Sequence, residues 1–293
     1  MKPQPIHYDW DSDGAPRKPA VLCIGAQKAG TSWLAQMLGQ HPQVWIPPFK
    51  ETHFFNYQFI PGHRYWIEWH YRTQPTELRQ RHIRRQSPIP PEVDAWLDAV
   101  STSKRMFTNH WYKQIFAPAP AHALPADFTP EYSTLPDEGV AHVASFLPRA
   151  KAIYLIRDPA DRAISQLRMN LMREKRRPVS VADWLREAEN PVLAERGDYA
   201  TYIPRWQRHF GDRLLILPYG RIARDPDALM QQVETHLGIG PFVYAGLRNK
   251  VFAAPEGEMV PPPEVRTALR TRFAAQYDYL TRAFPKDFVA QLG

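Results

Sequence analysis

Residues 21–32 read Val-Leu-Cys-Ile-Gly-Ala-Gln-Lys-Ala-Gly-Thr-Ser, and this stretch decides the fold class. Val21 to Ile24 is a short apolar run of the kind that forms a buried strand. Gly25 and Gly30 bound the loop that follows. From Thr31 onward, Trp33, Leu34, Met37 and Leu38 recur at helical spacing. Strand, Gly-rich loop and helix in succession turn backbone N–H groups and a helix N-terminus toward a phosphate. The Gly25-x4-Gly30 spacing is that of a P-loop, but the lysine is displaced. A nucleotide-hydrolysing P-loop carries Lys directly after its second glycine. Here that position is Thr31, and the lysine is Lys28, inside the loop. The cradle is kept, and its lysine must make a different contact.

A second segment, Lys151 to Asn170, repeats the strand-to-helix pattern. Ala152 to Ile156 is apolar and rich in strand-forming residues, and it ends in Arg157-Asp158-Pro159. Asp is a good N-cap and Pro is favoured at the first helical position. Arg157 therefore stands at the carboxyl end of a strand, with Ser165 about two turns into the next helix. In an open parallel sheet, ligands bind at the carboxyl ends of the strands. A guanidinium and a hydroxyl there suit a second phosphate. Taken alone, the segment equally fits an ion pair of Arg157 with Asp158 or Asp161 and a surface serine.

Together the two segments resemble the PAPS-dependent sulfotransferases, where PAPS is 3′-phosphoadenosine-5′-phosphosulfate. The first is similar to that family's 5′-phosphosulfate loop. The second is similar to its 3′-phosphate motif, R-D-P-x-x-R-x-x-S. Two further stretches resemble the branch of heparan sulfate sulfotransferases and their many bacterial relatives: Lys50-Glu51-Thr52-His53-Phe54-Phe55 and Thr129-Pro130-Glu131-Tyr132. Downstream, residues 197–210 and 214–238 are similar to the family's helix, strand and helix. The resemblance spans roughly residues 20–285.

The resemblance implies an α/β, P-loop-like three-layer fold, with a central, mostly parallel sheet flanked by helices. It implies transfer of a sulfuryl group from PAPS to a hydroxyl or amine, releasing PAP, the desulfated nucleotide. Gln27, Lys28, Ala29, Gly30, Thr31 and Ser32 then bind the 5′-phosphosulfate, and Arg157 and Ser165 the 3′-phosphate. Lys28 meets the charge that develops on the bridging oxygen. Glu51 is the family's usual general base, and His53, on the same face if the segment is extended, is a candidate to share or assist that role. The sequence shows no metal-ligand spacing, and its one cysteine cannot build a multi-thiolate site, so no metal is expected.

The chain departs from that branch in three places. Phe128 stands where heparan-modifying members carry Lys. A single cysteine, Cys23, rules out an internal disulfide and is expected in the core. The late nucleotide loop, Lys-Gly-Arg in those members, corresponds to the acidic Ala254-Pro255-Glu256-Gly257-Glu258. Donor binding is kept, and the acceptor is left open among glycan, lipid, small alcohol, phenol and peptide tyrosine.

At 293 residues, with 44% hydrophobic content, the chain suits one sulfotransferase domain over 1–293. Residues 1–19 are expected to be irregular. Residues 58–124, rich in Trp, His and Arg, are expected to form a helical insertion that shapes the acceptor site, with most of Trp66, Trp69, Trp96 and Trp111 in the core. One last helix is expected over Pro263 to Phe284. No apolar run is long enough to span a membrane and no secretory core is present, so a cytoplasmic, bacterial-type protein is expected.

The net charge of +7 suits an anionic donor. Clusters at Arg79–Arg85 and Arg173–Arg177 read as solvated helix faces. A nucleic-acid partner is not expected, because no finger, RNP or helix-turn-helix pattern is present. Two other classes stay open on sequence: a P-loop kinase or NTPase, and a non-catalytic binder of anionic polymers. Thr31 in place of the P-loop lysine weighs against the first. Lys28, Glu51, Arg157 and Ser165 in order weigh against the second. Oligomeric state is not legible.

Overall fold

The computed structural model describes residues 8–249 and 259–293. Five strands form one sheet: β1 (Val21–Gly25), β2 (Val44–Trp45), β3 (Leu124–Phe128), β4 (Lys151–Ile156) and β5 (Leu214–Pro218). Their order is β2-β3-β1-β4-β5. Every pairing is parallel, with Val21 opposite both Ala126 and Lys151. All five residues of β1 are buried, as a central parallel strand covered on both faces requires. Helices flank the sheet, as the sequence implied. Because all strands run the same way, their carboxyl ends meet at one edge, where this class of sheet binds ligands.

The signals read at the two phosphate segments are realised locally. The helix after β1 covers Thr31–Leu38 and buries Trp33, Leu34, Met37 and Leu38. The helix after β4 covers Pro159–Arg173, with Pro159 at its first position and the Asp158 carboxylate accepting from the Asp161 amide. Tyr199–Phe210, β5 and Pro226–Leu237 supply the expected helix, strand and helix.

Between β2 and β3 the chain is helical, but from Phe54 rather than residue 58: Phe54–Phe59, Arg64–Arg84, Pro91–Thr102 and Asn109–Ile115. Trp96 and Trp111 are core residues. Trp69 is not, being 58% exposed. The Arg64–Arg84 helix buries Ile67, Tyr71, Leu78 and His82, and Trp69 falls outside that stripe. Arg79, in the first basic cluster, is held by Asp94 and Asp98 of the facing helix, and Arg176 in the second by Glu174 and Glu187.

The C-terminal helix expected over 263–284 is instead two, Pro263–Arg272 and Ala274–Ala283. The break has a packing reason. Val265, Leu269 and Phe273 join a small cluster with Leu167, Leu171 and Trp184, whereas Leu280 packs into the main core. One straight helix would not serve both. Residues 8–19 contain no helix or strand, yet Arg17 donates to the carbonyls of Ala119 and Pro120. Cys23 is fully buried, and burial pushes its thiol up to about 12, so it is an inert core residue. The acidic stretch 254–258 lies outside the described residues. Among the described residues, no helix is long and apolar enough to cross a membrane.

Candidate active site

The loops leaving all five strands converge at the carboxyl edge. β1 delivers Gln27 and Lys28, β2 leads to Lys50 and Glu51, β3 to Glu131, β4 to Arg157 and β5 to Tyr219. The β1 loop can turn this tightly only because of its glycines. A side chain on Gly25 would meet the Tyr154 ring at 2.9 Å and Ser133 at 3.0 Å. Gly30 caps the Thr31–Leu38 helix with φ +91°, and a Cβ there would lie 2.4 Å from Ile222. No side chain caps that helix and its first turn carries no acidic residue, so no carboxylate offsets the positive end of its dipole.

Arg157 does not pair with Asp158 or Asp161. Asp158 accepts from Tyr277 Oη at 2.9 Å, and Asp161 pairs with Arg266. The Arg157 guanidinium instead lies 4.3 Å over the Tyr219 ring, and its Nη1 donates to the Lys28 carbonyl at 3.2 Å. Its backbone N–H donates to Tyr199 Oη at 3.1 Å. Its Nε is buried with no hydrogen-bond partner. Burial lowers the pKa of Lys28, and the charges of Arg173, Arg157 and Arg168 lower it further. Four cations share this corner, an arrangement that a polyanionic ligand relieves. Ser165 sits partly exposed on the Pro159–Arg173 helix and makes no hydrogen bond among those found for the described residues.

Glu51 and His53 meet, but not through an extended segment. Glu51 has φ +71° and His53 φ +49°, so the chain curls and brings Glu51 Oε2 within 3.6 Å of His53 Nε2. The Glu51 side chain is 35% exposed and that of His53 only 1%. Burial alone would raise the Glu51 carboxyl; the His53 imidazole, with Lys50 and His70 nearby, overrides this and brings it down to about 2. His53 packs edge-on against Trp66 at 4.6 Å and His70 at 5.2 Å, both from the Arg64–Arg84 helix. Burial holds His63 and His70 down to about 4, so this wall is uncharged at neutral pH. Lys50 Nζ donates to Ser32 Oγ at 3.1 Å, tying the segment that carries Glu51 to the start of the Thr31–Leu38 helix.

Sequence reasoning missed three residues that build the site. Asp127, fully buried at the end of β3, accepts from Thr52 Oγ1 (2.7 Å), Tyr112 Oη (2.8 Å), Tyr132 Oη (2.9 Å) and Thr129 Oγ1 (2.7 Å). It fixes the segment that carries Glu51. The signal was a lone carboxylate in the apolar strand Leu124–Phe128. Glu131 and Arg196 are the other two. Glu131 Oε1 accepts from Gln27 Nε2 at 2.9 Å and faces Arg196 Nη1 at 3.2 Å. The fold thus gathers Glu51, His53 and Glu131, whose ligand-type atoms lie within 4.8 Å of one another. Spacing along the chain paired Glu51 with His53 but gave no sign that Glu131 joins them.

A family model described as "Sulfotransferase family" matches residues 19–242. The chain belongs to the sulfotransferase family. It is 27% identical over 241 residues to the human bifunctional heparan sulfate N-deacetylase/N-sulfotransferase 1, covering 76% of this chain and 22% of that protein. It is 23% identical over 244 residues to human heparan sulfate glucosamine 3-O-sulfotransferase 3B1, covering 81% of this chain and 50% of that one. The chain thus spans about a fifth to a half of the length of these relatives. Its fold matches the crystal structure of a sulfotransferase from Alicyclobacillus acidocaldarius, with a TM-score of 0.63 at 23% identity over 91% of this chain and 95% of that one.

Proposed function

We propose that this site moves the sulfuryl group of PAPS onto a hydroxyl or amine and releases PAP. The acceptor oxygen or nitrogen forms the new bond to sulfur. The bond from sulfur to the bridging oxygen breaks, its electron pair stays on the 5′-phosphate of PAP, and the acceptor's proton passes to Glu51. By analogy with phosphoryl transfer, the protein positions groups and stabilises charge. In this reading Gln27 to Ser32 cradle the 5′-phosphosulfate, and Lys28 meets the charge growing on the bridging oxygen. Arg157 and Ser165 hold the 3′-phosphate. Glu51 is the base, and His53, buried behind it, orients it and shares the incoming positive charge. No metal takes part.

The acceptor enters along the Trp66 face of the helical segment, where the wall beside Glu51 is aromatic and uncharged. A glycan or small molecule bearing a hydroxyl or amine suits that wall. The observation that carries the reading is Arg157: cationic, stacked on Tyr219, bonded to the phosphate loop, and left with a buried unpartnered Nε. Thermal-shift titration with PAP, ADP and ATP tests it. PAP should stabilise the protein far more than the other two. Equal shifts from ADP and PAP would overturn the assignment.

A further inference from the structure

Arg196 stands where the donor loop and the catalytic base come together. It follows the short Pro191–Glu195 helix and precedes Gly197. That backbone is held from below by Arg162, which is fully buried, donates to the Leu193 carbonyl and to Gln166 Oε1, and lies so close to Gly197 that a Cβ there would meet its Nε at 2.9 Å. From this support the Arg196 side chain reaches the far end of the phosphate loop. Its Nη1 donates to Gln27 Oε1 at 2.5 Å and lies 3.2 Å from Glu131 Oε1. The Gln27 amide closes the triangle on the same Glu131 oxygen at 2.9 Å.

Two facts give this triangle a direction. Gln27 directly precedes Lys28, so Arg196 is seated beside the phosphosulfate loop. Glu131 shares its cluster with Glu51 and His53, so Arg196 is one carboxylate away from the base. The charge of Arg196 also bears on His63, which packs against Trp66 at 5.3 Å. The guanidinium is 20% exposed, whereas Glu131, which anchors it, is buried at 4%. A carboxylate buried this deeply holds its arginine in one place, and a planar fork of donors fixed in place suits a group with several equivalent oxygens.

We propose that Arg196 is a catalytic residue that contacts the transferring sulfuryl oxygens from the acceptor side. Lys28 meets the leaving side and Arg196 the entering side, so the sulfuryl group is held between two cations throughout its passage. Glu131 and Gln27 are the positioning residues that aim it. This rests on the sulfuryl-transfer reading above and goes beyond it, because neither the phosphate loop nor the 3′-phosphate motif contains Arg196.

The test compares two nucleotides that differ only in the sulfuryl group, by calorimetry with PAP and with PAPS. The Arg196→Gln protein should bind PAP as the wild type does and bind PAPS roughly ten- to a hundred-fold more weakly, the range for losing a charge-assisted contact. Arg196→Lys keeps a charge beside Glu131 but not the fork. It should keep PAP binding and lose part of the PAPS preference. It also carries the test if Arg196→Gln does not fold. Equal weakening of both nucleotides, or no weakening of PAPS in either variant, would show that Arg196 is only a strut for the loop. Failure of the wild type to bind PAP would overturn the donor assignment itself, a result distinct from either.

Discussion

The Arg157 guanidinium donates from Nη1 to the main-chain carbonyl of Lys28 at 3.2 Å, across 129 residues of sequence. This bond joins the loop after β1 to the carboxyl end of β4. It also fixes the arginine against Tyr219, so little rotamer freedom remains to be lost when a ligand binds. Arg157→Ala should weaken PAP by roughly ten- to a hundred-fold, the equivalent of about 1.5–3 kcal/mol for a charge-assisted contact. AMP, which lacks the 3′-phosphate, should be indifferent to the change. Calorimetry with both nucleotides checks it, and a parallel loss of AMP binding would move Arg157 away from the 3′-phosphate.

Lys28 answers to a different test. In the proposed reaction its partner is charge that appears on the bridging oxygen only during transfer, and an interaction of that kind raises kcat. Lys28→Ala should lower kcat on the order of a hundred-fold, with a smaller effect on PAP affinity. Transfer of label from sulfur-labelled PAPS, beside PAP calorimetry, separates the two. Normal turnover with poor PAP binding would reduce Lys28 to a phosphate anchor.

In the proposed mechanism the buried Asp127 positions the base indirectly. Thr52, which sits between Glu51 and His53, donates to Asp127 Oδ2 at 2.7 Å and meets Tyr132 Oη at 2.8 Å. Thr52→Val keeps the shape and removes both contacts, leaving buried partners short of a hydrogen bond at about 1–3 kcal/mol. Urea unfolding should show a loss in that range. Activity should fall by more than PAP binding, because the Glu51 segment loses its tether. An unchanged midpoint would mean that Tyr71, which bonds the Thr52 carbonyl at 2.9 Å, holds the segment unaided.

Local sequence carried the strand, loop and helix around Gly25–Gly30 and around Arg157, whose geometry depends on glycines, caps and apolar runs that are contiguous in the chain. Gly30, Asp158 and Pro159 do in the structure what their residue types dictate. The acceptor side was less legible because it is assembled from distant segments. Glu131 and Arg196 acquire their meaning only when β3 and the chain after Pro191–Glu195 come together. The curled backbone at Glu51 and His53 was hidden for another reason: positive φ at a non-glycine residue is a tertiary constraint, imposed here by the Asp127 and Tyr71 contacts to Thr52. The break at Phe273 was hidden likewise, since helical periodicity runs through it and only the separation of two apolar clusters divides it.

Glu51 makes pH a probe of the base. Its carboxyl is lowered from 4.5 to about 2, so its partnership contributes stability above the ordinary carboxylate range and loses it as pH falls from there toward 2. Glu51→Gln should therefore show a shallower fall of stability over that window than the wild type. Catalysis should report the same group. An ionised Glu51 leaves kcat/KM without an acid limb near neutrality, whereas a base that titrates near neutrality would show one. Glu51→Gln should keep PAP binding and lose roughly a hundred- to ten-thousand-fold in activity. If Glu51→Gln stays active while His53→Ala is dead, the base is His53.

Chelation tests whether side chains alone supply the positive charge. Glu51, His53 and Glu131 are close enough to share an ion, and that gives the question substance. The charge around them argues against one. Glu131 Oε1 is already shared by Gln27 and Arg196, and Glu51 lies within the field of Lys50. A divalent cation would have to enter beside a fixed guanidinium and a lysine, and like charges at that range repel strongly when partly desolvated. Lys28, Arg157 and Arg196 meanwhile provide the cationic surface that a metal would otherwise contribute. EDTA should therefore leave PAPS turnover unchanged. Added Zn²⁺ or Mn²⁺ should either do nothing or inhibit by occupying Glu51. Loss of turnover on chelation, restored by one of these ions and abolished by Glu131→Gln, would instead make the three side chains a metal centre.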